Sequence, residues 1–309
     1  MQANKERNFR AHLILTAKGF CMGAADVVPG VSGGTMAFIL GIYEELINAI
    51  RSFDLESLKL VVSGKIRDFM DHTHWRFLLA LGCGILLAIF SLSKALSWLL
   101  QNQPVLIWSF FLGLILASVV TVVKRVENWR PLTWCSLAAG LVGIYLLVGM
   151  VPGATPNAPW FLFASGALAI CAMILPGISG SFILVLLGKY QYILEAVNER
   201  NLLVLFIVAA GACVGLAAFS RLLGWLLTKY HDYMVAFLTG LMLGSLRKVW
   251  PFKETLENIV GSGGKVVPIV QENILPAQWT GEMTFAMGLS VAGFLIVLVL
   301  DRMAGPGKG

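Results

Sequence analysis

Charge is scarce in this sequence. Only 13 % of its 309 residues are Asp, Glu, Lys or Arg and 58 % are hydrophobic, where a soluble domain holds roughly 25 % charged residues and roughly 45–50 % apolar ones. So little polar surface cannot cover a water-soluble particle of this size, which excludes a soluble enzyme. The apolar content equally excludes intrinsic disorder. Histidines number 4 (His12, His72, His74, His231), near the ends of apolar segments. His72-x-His74 has no third ligand beside it, so a solvated loop is expected there and no metal site. The 5 cysteines (Cys21, Cys83, Cys135, Cys171, Cys213) are an odd number, form no CxxC pair and lie within apolar runs. They read as small buried hydrophobes, neither disulfides nor ligands. No cofactor is expected. The run after the N-terminal MQANKERNFRAH has no convincing small-residue cleavage site, so no removable leader is expected. The net charge of +6 comes from short basic clusters between apolar runs. That suits a membrane surface and not nucleic acid.

What the sequence has in abundance is long apolar runs. A bilayer core about 30 Å thick needs about 20 apolar residues in a helix. Residues 104–123, 132–151 and 283–300 meet this without a charge, and 77–100 (Lys94) and 202–226 (Arg221) with one each. Residues 233–246 form a shorter sixth span. Two further regions are broken. Residues 11–28 run into Pro29-Gly30-Val31-Ser32-Gly33-Gly34 and 31–50 run out; 159–175 run into Pro176-Gly177-Ile178-Ser179-Gly180-Ser181 and 178–194 run out. Two short helices meeting at Pro-Gly inside a membrane read as a re-entrant hairpin, because broken backbone at that depth survives only where protein or a cavity satisfies it.

The chain repeats itself. At a shift of 147, Pro29, Gly30, Ser32, Gly33, Leu40, Gly41 and Tyr43 fall on Pro176, Gly177, Ser179, Gly180, Leu187, Gly188 and Tyr190. At a shift of 127, Ser93, Trp98-Leu99-Leu100, Gly113 and Ser118 fall on Ser220, Trp225-Leu226-Leu227, Gly240 and Ser245, and Lys94 falls on Arg221. The shift drops because the first copy carries an insert, about 54–75, placed here as an interfacial helix. The expected fold is therefore an all-α polytopic membrane protein in a single membrane domain, 1–309. Its first repeat is 11–151 and its second 159–302, each a re-entrant hairpin plus three transmembrane helices. An odd number of crossings per copy inverts the second copy, the plan of many secondary transporters. Counting loops with the N-terminus cytoplasmic gives 13 Lys and Arg inside and 5 outside, so both termini are expected inside.

The repeated motif points to an anion. Proline stops the incoming helix, glycine makes the turn, and Ser32 and Ser179 stand at the N-cap of the outgoing helix. The following N–H groups, at Gly33-Gly34-Thr35 and Gly180-Ser181-Phe182, have no acceptor within their helix and favour a negative group, phosphate above all. Ser32, Gly33, Gly34, Thr35, Ser179, Gly180 and Ser181 are the candidate phosphate ligands. Lys94 and Arg221, ionisable groups inside spans, are candidate counter-charges, with snorkelling to the interface as the alternative. Asp26, Glu44 and Glu195 are candidate coupling groups, with capping of the outgoing helix as the alternative for Asp26. Asp26 has no acidic counterpart, since Met173 takes the matched place, and Glu44, Glu45 and Lys189 read equally as water-surface residues. Pro29, Gly30, Pro176 and Gly177 are the hairpin breakers. Gly30-Val31-Ser32-Gly33-Gly34 formally matches a hydrolase nucleophile elbow, but no strand precedes it and no histidine lies in a core segment.

The run Gly23-Ala24-Ala25-Asp26-Val27-Val28-Pro29-Gly30-Val31-Ser32-Gly33-Gly34-Thr35 with Leu40-Gly41-Ile42-Tyr43-Glu44 resembles the first signature of the bacterial polyprenyl-phosphate translocases. Met173-Ile174-Leu175-Pro176-Gly177-Ile178-Ser179-Gly180-Ser181 with Leu187-Gly188-Lys189-Tyr190 resembles the second, and the resemblance runs over roughly 15–302. It implies a flippase, not an enzyme, that moves undecaprenyl or another polyprenyl phosphate across the bacterial cytoplasmic (inner) membrane, recycling the lipid carrier of cell-wall synthesis. The implied partners are that lipid and the bilayer. The residues alone leave open a small-anion transporter or channel using the same helix tips, and a lipid phosphatase. An ion needs only an axial path, a lipid needs a side opening, and a phosphatase needs an acid–base pair or metal ligands, which the sequence does not display.

Overall fold

A computed structural model of the chain describes residues 8–27, 32–150, 153, 155–260, 266–276 and 279–304. The first half holds α1 (Phe9–Asp26), α2 (Gly33–Ile39), α3 (Tyr43–Arg51), α4 (Leu55–Val62), α5 (Ile66–His72), α6 (Trp75–Asn102), α7 (Pro104–Val123) and α8 (Pro131–Val148). The second holds α9 (Pro159–Ile174), α10 (Gly180–Leu186), α11 (Tyr190–Asn198), α12 (Leu202–Lys229), α13 (His231–Val249) and α14 (Gly281–Ala304). Between α13 and α14 lies an antiparallel pair, β1 (Lys253–Val260) and β2 (Val266–Asn273), which the all-helical expectation did not include.

Five helices, α6, α7, α8, α12 and α14, are long and apolar enough to cross a membrane. The sixth expected span is a helix of similar length, α13, with Asp232, Arg247 and Lys248 near its ends. Large side chains such as Phe90, Phe206 and Phe285 stay 70 % exposed or more, a surface that lipid covers and water would not tolerate. The cysteines follow the same logic and correct the sequence reading. Cys83, Cys135 and Cys213 are exposed and Cys21 and Cys171 half-buried, all five as free thiols, because apolar positions in a membrane protein face outward as readily as inward. The chain is an all-α polytopic membrane protein.

The outgoing halves of the broken regions are not single helices. Leu40-Gly41 separates α2 from α3 and Leu187-Gly188 separates α10 from α11, with Gly41 at φ +67° and Gly188 at φ +63°. Those left-handed angles suit glycine, and the second pair is bent by 106°. The insert is likewise two short helices, α4 and α5, and not one.

Helix packing repeats under the sequence shifts. Helix α1 packs on α6 through Gly19 and Gly84, and α9 on α12 through Gly166 and Gly211. A β-carbon at Gly19 would strike the carbonyl of Leu81, and one at Gly166 that of Val208. Between the halves the packing is reciprocal. Helix α7 meets α14 at Gly113 and Gly293, while α13 meets α8 at Gly240 and Gly140. Without a hydrophobic driving force between helices in lipid, such small residues supply the close backbone approach that holds a bundle together.

Candidate functional site

The first tip is closed by its own residues. Ser32 is the N-cap of α2; its Oγ accepts the Gly34 N–H at 3.0 Å. The Gly33 N–H donates to Asp26 Oδ1 at 2.7 Å, and the Thr35 N–H to the Ser32 carbonyl at 2.9 Å. The amides expected to await a ligand are therefore taken. A carboxylate from the end of α1 occupies the place where an outside anion was expected, which corrects the sequence reading for Gly33, Gly34 and Thr35. At the other end of α2, Lys18 Nζ donates to the Leu40 carbonyl at 2.8 Å and an Arg125 Nη to the Phe38 carbonyl at 3.3 Å. An anion at the start and cations at the end both complement the helix dipole.

The two breaks meet. Ser32 Oγ lies 3.1 Å from the Met173 carbonyl and 3.2 Å from that of Leu175. The Gly177 N–H donates to Thr35 Oγ1 at 2.9 Å, and the Tyr43 hydroxyl to the Ile174 carbonyl at 3.3 Å. Ser32, Thr35 and Tyr43 are each 1 % exposed. They satisfy backbone groups that the end of α9 leaves open, so the starts of α2 and α3 plug the break between α9 and α10. Pro176 and Gly177 are buried there, with Gly177 at φ +87°. Pro29 and Gly30 lie outside the described residues.

The second tip is open. Ser179 stands at the N-cap of α10 but makes no capping bond; its Oγ pairs instead with Ser181 Oγ at 2.7 Å. Among the described residues the N–H groups of Gly180, Ser181 and Phe182 meet no acceptor. Geometry shows why the tips differ. Asp26 points its carboxylate at Gly33, whereas the residue facing Gly180 from the matched place is Met173, whose Cβ would lie 3.5 Å from a β-carbon there.

The remaining candidates are elsewhere. Lys94 is exposed on α6. Arg221 is exposed too; an Nη of its guanidinium donates to its own helix at the Ala217 carbonyl (2.9 Å), and it lines a crevice of about 800 Å³ with Phe53, Leu55, Leu58 and Phe69 beside the insert. Among the described residues neither is hydrogen-bonded to a residue of either tip. Glu44 lies at the surface 3.3 Å from His231 Nε2, and Glu195 is exposed on α11. Lys189, read as a surface residue, is 1 % exposed, donating to the Thr155 carbonyl at 2.7 Å and to Asn157 Oδ1 at 2.6 Å. In the insert, Asp54, Glu56 and His72 bring their donor atoms within 4.8 Å of one another. Desolvation, the largest single influence, raises the Asp54 carboxyl, but the Ser57 and Glu56 N–H groups and His72 together hold it below the usual carboxylate range.

Lys248, in the last turn of α13, lies beside the open tip, and Lys253, at the start of β1, lies beside Lys248. Lys248 Nζ lies 5.3 Å from the ring of Phe182, in the first turn of α10. Lys253 Nζ lies 5.0 Å from the ring of Trp108 and 2.5 Å from the Lys248 carbonyl. The available signal was spacing. Lys248 is one turn beyond Ser245, the repeat partner of Ser118, and Ser245 Oγ lies 3.1 Å from where a Gly177 β-carbon would be.

Fold and site together define a polytopic membrane protein built round two broken helical segments that meet in its interior. Residues 22–267 match the undecaprenyl phosphate translocase-like family, and the chain belongs to it. It is 44 % identical over 293 residues to the polyprenyl-phosphate transporter of Vibrio cholerae serotype O1, covering 93 % of this chain and 95 % of that protein. It is 30 % identical over 257 residues to the polyprenyl-phosphate transporter of Staphylococcus aureus, covering 76 % and 84 %. No solved structure matches the chain.

Proposed function

We propose that this protein carries a polyprenyl phosphate, of the undecaprenyl class, between the leaflets of the bacterial cytoplasmic membrane, holding the phosphate at the open second tip. The observation that carries the reading is the contact of the two breaks at Ser32, Thr35 and Gly177, which supports a binding centre inside the bundle. A lipid monophosphate crossing unaided would bring its charge into hydrocarbon at a prohibitive cost. Ser179, Gly180 and Ser181 offer N–H and O–H donors to the headgroup, while the tail stays among apolar helix faces. The mechanism asks for no bond to break at phosphorus, so the protein acts as a transporter and not as an enzyme.

The reciprocal packing of α7 on α14 and α13 on α8, with the paired lengths of α2 and α10 (7 residues), α3 and α11 (9) and α6 and α12 (28), supports two repeats, 11–151 and 159–302, exchanged by a two-fold operation. With an odd number of crossings in each, they are inverted, with both termini cytoplasmic, and rocking of one against the other exposes the site to each leaflet in turn. The test is reconstitution of purified protein in vesicles with labelled undecaprenyl phosphate, reading leaflet accessibility over time. The reading expects protein-dependent exchange that Ser179→Ala with Ser181→Ala slows. Vesicles in which the wild-type protein moves no lipid would refute it.

A further inference from the structure

We propose that Lys248 and Lys253 form the cationic clamp for the phosphate headgroup, working with the open tip assigned above; the inference rests on that reading. Lys248 leaves the last turn of α13 and reaches over Phe182 (5.3 Å), and Lys253, just beyond that helix, reaches over Trp108 of α7 (5.0 Å). The side chain of one is tied to the backbone of the other, since Lys253 Nζ donates to the Lys248 carbonyl at 2.5 Å. The pair is drawn to α10 by α13 itself, whose Leu241 carbonyl and Ser245 hydroxyl lie 2.9 and 3.1 Å from where a Gly177 β-carbon would stand.

What marks the pair as a site is missing counter-charge. Among the described residues neither lysine has a carboxylate partner. Two half-buried cations are thus held against aromatic rings, where water is displaced and the charge of one opposes that of the other. Capping the end of α13 would need one cation, not two. A phosphate monoester, carrying about −1.5 to −2 charges at neutral pH, matches two lysines and supplies the negative charge that the Lys248 carbonyl, the one acceptor Lys253 has among the described residues, does not. The aromatic rings suit the first apolar segment of a lipid attached to it.

The same chemistry is offered by inorganic phosphate and by a lipid headgroup, so the test has arms for both. Binding of undecaprenyl phosphate, undecaprenol and inorganic phosphate to detergent-solubilised protein is measured alongside vesicle exchange for wild type, Lys248→Gln with Lys253→Gln, and Lys248→Arg with Lys253→Arg. The glutamine pair is expected to raise the half-saturating concentration of undecaprenyl phosphate about tenfold or more, to leave the weak affinity for undecaprenol unchanged, and to keep the thermal melt of the wild type. The arginine pair is expected to restore most of the affinity, which a merely structural loss would not allow. Lysine-dependent binding of inorganic phosphate with no preference for the lipid would place the pair in a free-anion site and overturn the lipid assignment. Should the glutamine pair bind undecaprenyl phosphate as the wild type does, the clamp falls. Should the wild type exchange no lipid yet bind it through the lysines, the clamp stands and the transport reading falls.

Discussion

The two tips begin with the same residues and end in opposite electrostatic states. At the first, Asp26 takes the Gly33 N–H, and Ser32 and Thr35 spend their hydroxyls on the second hairpin. At the second, Met173 stands where the aspartate would be, Ser179 bonds only Ser181, and two lysines approach from α13 and β1. One substitution in the repeat, aspartate against methionine, separates a structural plug from a receiving site.

The strongest way to break the contrast is to give the second tip the first one's carboxylate. Met173→Asp is expected to cap α10, to hold or raise the melting temperature, and to cut lipid exchange more than tenfold as the new charge competes with phosphate. The converse change, Asp26→Ala, strips the Gly33 N–H of its partner; a loss of about 1–3 kcal/mol, read as a lower melting temperature in detergent, is expected. Thr35→Val leaves the buried Gly177 N–H unpaired and is expected to cost about 1–3 kcal/mol, toward the lower end because the partner is a neutral hydroxyl. Ser179→Ala, which removes only the bond to the Ser181 hydroxyl, is expected to cost about 1 kcal/mol while weakening lipid binding.

The clamp adds a pH dependence. Burial against Trp108 and the nearby charge of Lys248 push the Lys253 ammonium down to about 7. It is charged below that value and neutral above, so affinity for undecaprenyl phosphate is expected to fall as pH rises through about 7, and Lys253→Arg to flatten the profile. The sign for stability is the reverse. A lysine held below its unfolded value of about 10.4 contributes stability at high pH, and that contribution is lost as pH falls through its folded value.

Much of this was legible in the residues. Pro-Gly-x-Ser-Gly at a shift of 147 located both breaks, and apolar runs located the long helices. The second bends at Gly41 and Gly188 were written in the same alignment, but glycine in an apolar run carries no sign of its angle until the fold imposes it. Asp26 was legible as a cap of the outgoing helix beside its other reading as a coupling group, and its bond to the Gly33 N–H bears the first out. Repeat symmetry matched the positions of Lys94 and Arg221 but not their directions; both are exposed on their helices. Lys248 and Lys253 were masked by their neighbours in a charged loop, whose strand pairing has no hydrophobic pattern strong enough to announce it.

The most direct measurement is modification of single cysteines, Ser181→Cys and Ser32→Cys in a background without native cysteines, by a sulfonated thiol reagent with and without undecaprenyl phosphate. Reaction at position 181 that the lipid slows, with position 32 inert, is the expected result. A fast, lipid-protected reaction at position 32 with position 181 inert would put the phosphate at the wrong tip and contradict the account.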